Sequence, residues 1–203
     1  MRIELEEVKV YSLEDVKSNP ELLKKVLEKH SDINTSFDWW DFTYENFKEN
    51  NDEYFDIEKI YFSGFWSQGD GAMFEYSDIS NRLRDIFIDG LDLSPMRKGW
   101  LRNNVSVSGK GVQRGIYCHE KSCSHSIYWE VDNGDLNWDR PLYQWIESFA
   151  NDFEDFVEEL YVNLCSNLYS TLEKEYKYLI SDEAILDTLE CNEYEFTKDG
   201  NIY

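Results

Sequence analysis

The stretch "SGFWSQGDGAMFEY", residues 63–76, decides the fold because two apolar runs flank a short polar segment. Residues 57–66 and 72–76 are rich in aromatic and β-branched side chains, which is typical of strands. In the connection, residues 67–71, glycines permit positive φ and Asp70 is suited to hydrogen-bond nearby backbone amides. We therefore predict a β-hairpin that turns at this polar segment.

The same turn is also a candidate ligand site. Its exposed backbone amides and the side chains of Ser67, Gln68 and Asp70 would form a small polar pocket, with His119 facing it across the sheet. The stretch is not a P-loop, because it lacks the GK[ST] ending and opens no clear helix. A purely structural turn and a polar ligand site both remain open.

Further strands extend the hairpin into a sheet. Residues 103–108 alternate between polar and apolar side chains, and the "GKG" of residues 109–111 predicts a turn. Residues 112–117 and 126–131 then continue as strands. We predict a central antiparallel sheet of four or more strands.

Helices are predicted before, between and after these strands along the sequence. Ser12 with Asp15 forms a capping-box pattern, and Pro20 fits the first turn of a second helix. Residues 77–89 are predicted as a helix and residues 89–99 as a turn-rich crossing. After Pro141, apolar residues recur at helical spacing as far as Leu172, which predicts one long helix or two stacked ones.

The elements together predict an α+β protein in which helices pack the sheet. Only three prolines and ten glycines interrupt the chain, and neither a low-complexity linker nor an internal repeat is present. We therefore predict a single domain over residues 1–203, in which residues 1–36 would form an N-terminal strand-helix appendage.

The composition indicates a folded but very acidic protein. The chain is 41% apolar and 16% aromatic, which excludes a disordered polyelectrolyte. A net charge of -22 repels nucleic acid and anionic membrane surfaces, and it accelerates the encounter with a cationic protein. No apolar run approaches the length of a membrane span, and the first residues carry no signal-peptide core, so we expect a cytoplasmic protein with free thiols.

The acidic residues are concentrated on the long helix. Between Arg140 and Lys174 there is no basic residue. A solvated helix face would explain this pattern, and so would a surface that docks on a basic groove shaped for a nucleic-acid backbone. The predicted partner-binding carboxylates are Glu147, Asp152, Glu154, Asp155, Glu158 and Glu159.

Residues 97–135 are the basic exception, with six basic and four acidic side chains. This segment either holds an anion or pairs with acidic residues within the fold, and we favour pairing. The basic side chains belong to Arg97, Lys98, Arg102, Lys110, Arg114 and Lys121.

The segment "CHEKSCSH", residues 118–125, contains thiol and imidazole groups that zinc prefers. Its spacing is that of no standard zinc finger, and we predict no metal. A nucleophilic pair of Cys118 and His119 has poor geometry, because adjacent residues of a strand point to opposite faces. Cys123 and His125 share a face, but a dyad alone is a weak signal.

Several stretches in the same order resemble a poorly characterised family of bacteriophage and mobile-element proteins, often labelled antitoxin-like. They include "FDWWDFTYENFK", "KIYFSGFWSQGDGAMFEY", "YCHEKSCSHSIYWEV", "LEKEYKYLISDEAI" and "NEYEFTKDG". The resemblance runs over about residues 37–199 and implies a phage context. It supplies no catalytic residue.

The sequence therefore predicts a non-enzymatic interaction protein without a cofactor. It would bind a host defence protein, nuclease or toxin through acidic helical faces, without contacting nucleic acid or membrane, so that carboxylates stand in for phosphates. The alternative is a module that binds or sequesters a nucleotide-like ligand, or a hydrolase, at the 67–71 turn and His119.

Overall fold

The computed structural model describes residues 9–132 and 140–203. The strand of the predicted N-terminal appendage lies mostly outside the described residues, and only Val10–Tyr11 is described, as β1. The described residues divide into two compact units, which we treat separately.

The larger unit, Phe42–Thr171, is built on an antiparallel sheet with the strand order β2-β3-β4-β5. Strands β2 and β3 form the hairpin predicted from residues 63–76, and the pair Phe62 and Ala72 closes its ladder. The predicted α+β class and the predicted antiparallel sheet are thereby confirmed. The four strands are Phe55–Phe62, Ala72–Ile79, Val105–Gln113 and Cys123–Val131.

Four α-helices of the described residues contribute to this unit, and the longest is α6 (Arg140–Leu179). It is one continuous helix of 40 residues, with Pro141 in its first turn, where a missing backbone N–H costs nothing. Its residues up to Thr171 belong to this unit. The four helices are α3 (Asp41–Asn51), α4 (Asn81–Gly90), α5 (Pro95–Asn104) and α6 (Arg140–Leu179).

The main core lies between α6 and the sheet. The apolar side of α6 recurs every three or four residues and is buried, so the opposite side of the helix is left for polar groups. The buried side chains of this core include Phe55, Met73, Phe74, Tyr76, Phe153, Val157, Tyr161 and Cys165.

The predicted turn at residues 109–111 is wrong, because β4 runs straight through it. Gly109 pairs with Ile127 and Gly111 pairs with His125, within a ladder from Val105 to Gln113. Both glycines occupy inward positions of the alternating strand. A Cβ at Gly109 would meet Ile79, and one at Gly111 would meet the ring of Tyr76, so these glycines make room for neighbouring side chains.

The predicted crossing over residues 89–99 is also wrong in its second half, where α5 begins. Ser94 is the N-cap, its hydroxyl accepts a hydrogen bond from the amide of Arg97, and Pro95 occupies the first turn. Leu101 is the buried residue that anchors this helix, in a cluster with Ile88 and Phe149.

The smaller unit combines the described residues up to Asp41 with Leu172–Tyr203. The predicted capping box of Ser12 and Asp15 is present at α1 (Leu13–Ser18), and Pro20 opens α2 (Pro20–Lys29). The N-terminal segment predicted as an appendage thus shares a unit with the C-terminal segment. Its remaining elements are α7 (Asp182–Cys191) and β6 (Phe196–Thr197), which pairs with β1.

Candidate functional site

The polar turn between β2 and β3 is held by Asp70. Its Oδ2 accepts hydrogen bonds from the amides of Trp66 (2.8 Å) and Ser67 (2.6 Å). The amide of Ser63 donates to the carbonyl of Gly71 (3.2 Å) and closes the loop. Asp70, predicted as a ligand-binding residue, therefore orders the turn with the same carboxylate that would contact a ligand.

Two glycines of the turn permit close packing against the segment that precedes β5. A Cβ on Gly69, whose φ is +93°, would lie 2.8 Å from the ring of Tyr117. A Cβ on Gly71 would lie 2.6 Å from the carbonyl oxygen of Cys118. The glycines therefore bring the turn within contact distance of residues almost fifty positions later in the sequence.

This contact creates a cleft of about 480 Å³, which we call the polar cleft. Gln68 and His119, both predicted as ligand-binding residues, lie in its wall, whereas Ser67 and Asp70 belong to the adjoining turn. The full lining consists of Gln68, Gly69, Tyr117, His119, Lys121 and Ser122.

His119 is oriented by its neighbour Glu120. The imidazole Nδ1 accepts a hydrogen bond from the amide of Lys121 (3.3 Å) and lies 2.9 Å from Oε2 of Glu120. Both contacts use the same ring nitrogen. The other ring nitrogen, Nε2, is then left available to a ligand.

A chain of hydrogen bonds through Glu75 and Gln113 reaches the backbone of Tyr117. Glu75 accepts from the hydroxyl of Tyr61 (2.9 Å) and from the amide of Gln113 (2.8 Å). The side-chain amide of Gln113 in turn donates to the carbonyl of Tyr117 (3.1 Å). Desolvation and the hydrogen bond to Glu75 both raise the pKa of Tyr61, so its hydroxyl remains a donor. The network connects the strand ends to the cleft wall.

The thiol and imidazole groups of residues 118–125 do not converge. His119 contacts Glu120, whereas Nδ1 of His125 lies 2.8 Å from the hydroxyl of Tyr76 and 4.0 Å from the sulfur of Cys123. Within residues 9–132 and 140–203, no three His, Cys, Asp or Glu side chains are placed to hold a metal ion.

Burial also determines the protonation states of Cys123 and His125. It lowers the pKa of His125 and raises the pKa of Cys123, so both are favoured as neutral groups. A neutral thiol is a poor nucleophile. The pair Cys123 and His125 is therefore a polar element of the core, packed against Tyr161 at a ring-centroid distance of 4.6 Å.

The six carboxylates predicted to bind a partner lie on α6. Five of them are exposed and Glu154 is half-buried, whereas Phe153 and Val157 on the opposite side are buried. In the part of the chain that the structure describes, none of the six forms an ion pair within 4.0 Å. The acidic face comprises Glu147, Asp152, Glu154, Asp155, Glu158 and Glu159.

The basic segment of residues 97–135 divides into two parts. Arg102 forms ion pairs with Asp85 and Asp89, and Lys98 donates to the carbonyl of Asp89 (2.9 Å), so these cations pair within the fold. The other four make no ion pair with any described residue. Arg97 lies on α5, and Lys110, Arg114 and Lys121 lie on or beside β4 and β5.

A second concavity, of about 520 Å³, lies between α5 and the start of α6. Met96, Trp100 and Trp145 give it an apolar character, and Arg97 adds a charged side chain to its lining. We place the candidate site at the polar cleft instead, because several hydrogen-bonding side chains converge there.

Sequence reasoning missed Tyr117, Lys121 and Ser122 as cleft residues. Residues 112–117 were predicted as a strand, which would have directed these side chains along a ladder. A usable signal is the polar, turn-rich composition of residues 113–122, which sets this segment apart from the alternating residues before and after it.

The fold and the two surfaces define an α+β protein with a polar cleft beside a hairpin turn and an acidic helix face. The chain belongs to the family described as "Domain of unknown function (DUF8835)", whose model matches residues 39–182. No curated protein and no solved structure matches the chain. Among the described residues, no helix is both long enough and apolar enough to cross a membrane.

Proposed function

We propose that this protein binds the basic surface of a partner protein through the acidic face of α6 and blocks that surface. The partner class is the one predicted from the sequence, a host defence protein, nuclease or toxin. The observation that carries the proposal is the exposure of these carboxylates without an ion-pair partner among the described residues. Arg84 of α4 and Arg102 of α5 pair with Asp85 and Asp89 instead.

The spacing of the acidic face suits a surface that normally receives a nucleic-acid backbone. From Glu147 to Glu159 an α-helix rises about 18 Å, at ~1.5 Å per residue. Six carboxylates over that length give one negative charge per ~3 Å, close to the ~3.4 Å between phosphates along one strand of B-DNA. The carboxylates would therefore meet a row of Lys and Arg side chains at a similar charge density.

The helix is also preorganised for such a contact. Phe153, Val157 and Tyr161 anchor it to the sheet with at most 2% of their surface exposed. Binding would therefore require little ordering of the backbone. The like-charged pairs Glu154–Glu158 and Asp155–Glu159 each cost the helix a few tenths of a kcal/mol, about 0.2–0.5. A cationic partner would relieve that repulsion.

The test is a capture experiment with two matched charge-reversal variants. We expect the tagged chain to retain a basic protein from a bacterial lysate at low salt, and Asp155→Lys, Glu158→Lys and Glu159→Lys together to abolish that retention. The control reverses Glu45, Glu49 and Glu58, which are also exposed and lie in the same unit. Equal retention by wild type and both variants would contradict the proposal.

A second candidate function is the binding of a small ligand in the polar cleft. The observation that favours it is the convergence of Gln68 and His119 on one cleft, although they are separated by fifty positions in the sequence. Native mass spectrometry of the purified protein would test it. We expect a small molecule to copurify with the wild type and to be lost in the double variant Gln68→Ala, His119→Ala.

A further inference from the structure

We infer that the polar cleft selects an anionic ligand of the phosphate-monoester class, with the size of a nucleoside monophosphate. This inference rests on the second candidate function, that the cleft holds a small ligand. It goes further by assigning the charge, the size and the contacts of that ligand. The cleft residues that carry it are Gln68, Tyr117, His119, Lys121 and Ser122.

The charge of the cleft is carried by Lys121. Its side chain is exposed, and it forms no ion pair with any residue of the described ranges. The backbone amide of Arg114 donates to the carbonyl of Ser122 (2.6 Å) and holds the lining segment beside the end of β4. In a protein of net charge -22, a cleft lined by a cation that forms no ion pair with the described residues is a local site for an anion.

The contact between His119 and Glu120 orients the imidazole at the cleft. The contact of Nδ1 with the carboxylate of Glu120 leaves Nε2 as the ring nitrogen that a phosphate group can contact. Glu120 is engaged by this pair, with its side chain only 22% exposed. Its negative charge therefore acts on His119 and is not presented as an open carboxylate at the cleft.

The remaining lining explains the size of the ligand. A volume of about 480 Å³ lies within the range of small-molecule sites and exceeds what a bare phosphate ion fills. The exposed ring of Tyr117 offers an aromatic surface on which a planar group can stack. Gly69 has no Cβ, so the turn can pack closely against that ring. Gln68 can both donate and accept, as recognition of a polar ring requires.

The experiment measures binding of the four ribonucleoside monophosphates, the four matching nucleosides and inorganic phosphate by isothermal titration calorimetry. We expect at least one monophosphate to bind, with its nucleoside and inorganic phosphate each weaker by about tenfold or more. Lys121→Ala should weaken that binding by about tenfold, because one charged contact is lost. The control, Lys110→Ala, removes an exposed lysine of β4 outside the lining and should leave the affinity unchanged.

The other outcomes separate this inference from the function on which it rests. Equal binding of nucleosides and monophosphates would overturn the anionic class while leaving a ligand-binding cleft. Equal binding of inorganic phosphate and monophosphates would overturn the assignment of size. If none of the nine compounds binds to the wild-type chain, both the inference and the second candidate function fail.

Discussion

The hydroxyl of Tyr161 on α6 is hydrogen-bonded to both backbone polar groups of Phe74 on β3. It donates to the carbonyl oxygen (2.8 Å) and lies 3.3 Å from the amide nitrogen. Phe74 faces Ile60 in the ladder of β2 and β3, whereas the pair between β3 and β4 is Tyr76 and Gly111. The hydroxyl of Tyr161 thus joins α6 to the buried backbone of Phe74.

Tyr161→Phe should destabilise the protein by about 1–3 kcal/mol, because the buried N–H and C=O of Phe74 lose the hydroxyl that they contact. Burial raises the pKa of Tyr161, so the lost group is a protonated donor at any working pH. Urea unfolding followed by circular dichroism measures the change. Tyr128→Phe, at a position that is 57% exposed, is the matched control, and a similar loss there would contradict this account.

Gly111→Ala and Gly99→Ala should change stability in opposite directions. At Gly111 a methyl group would overlap the ring of Tyr76 and lie 3.0 Å from the sulfur of Cys123, which we expect to cost about 1–3 kcal/mol. At Gly99, inside α5, a Cβ meets nothing within 4 Å, and alanine should add about 0.5–1 kcal/mol. Thermal unfolding of both variants compares the two, and a stabilising Gly111→Ala would disprove the inward packing of β4.

The histidine in the core should make stability depend on pH. Burial lowers the pKa of His125 below its ordinary value near 6.5, although the charge of Glu158 opposes the shift. The unfolded chain therefore binds a proton first as the pH falls, so this contribution is complete above about pH 6.5 and is lost progressively below it.

The His125 contribution is isolated by a difference measurement. We expect the free energy of unfolding of the wild type, relative to His125→Gln, to decrease between about pH 7.5 and pH 5.5. The same comparison with His119→Gln provides the control at a more exposed histidine of the same unit. A difference that stays constant with pH for His125→Gln would contradict the lowered pKa.

The parts of the fold that the sequence predicted are those with local chemical causes. The hairpin of β2 and β3 follows from glycines and Asp70 between two apolar runs, and Ser12 and Pro20 mark helix starts by their own backbone chemistry. These signals act over a few residues, so they can be recognised in a single sequence.

The errors arise where a residue serves a distant neighbour. Gly109 and Gly111 look like turn residues because glycine is common in turns, but here they accommodate Ile79 and the ring of Tyr76. Only the register of the sheet reveals that role. Buried and exposed positions alternate from Val105 through both glycines, and this alternation is the local sign that β4 does not turn.

The candidate site was predictable only in part for the same reason. Gln68 and His119 were selected for their chemistry, and the structure places both in the polar cleft. Tyr117 and Lys121 join them only because Gly69 and Gly71 allow the turn to approach that segment closely. The carboxylates of the acidic face could be named from the sequence. That they form no ion pair with the residues the structure describes depends on where the Lys and Arg side chains lie in the fold.

The central claim is that the acidic face of α6 occupies a surface shaped for nucleic acid, and competition tests it most directly. The partner captured at low salt would be titrated with duplex DNA in the presence of wild-type protein or the triple variant at Asp155, Glu158 and Glu159. We predict that the wild type and DNA displace each other and that the variant displaces nothing. Simultaneous binding of DNA and wild-type protein to the same partner would contradict the claim.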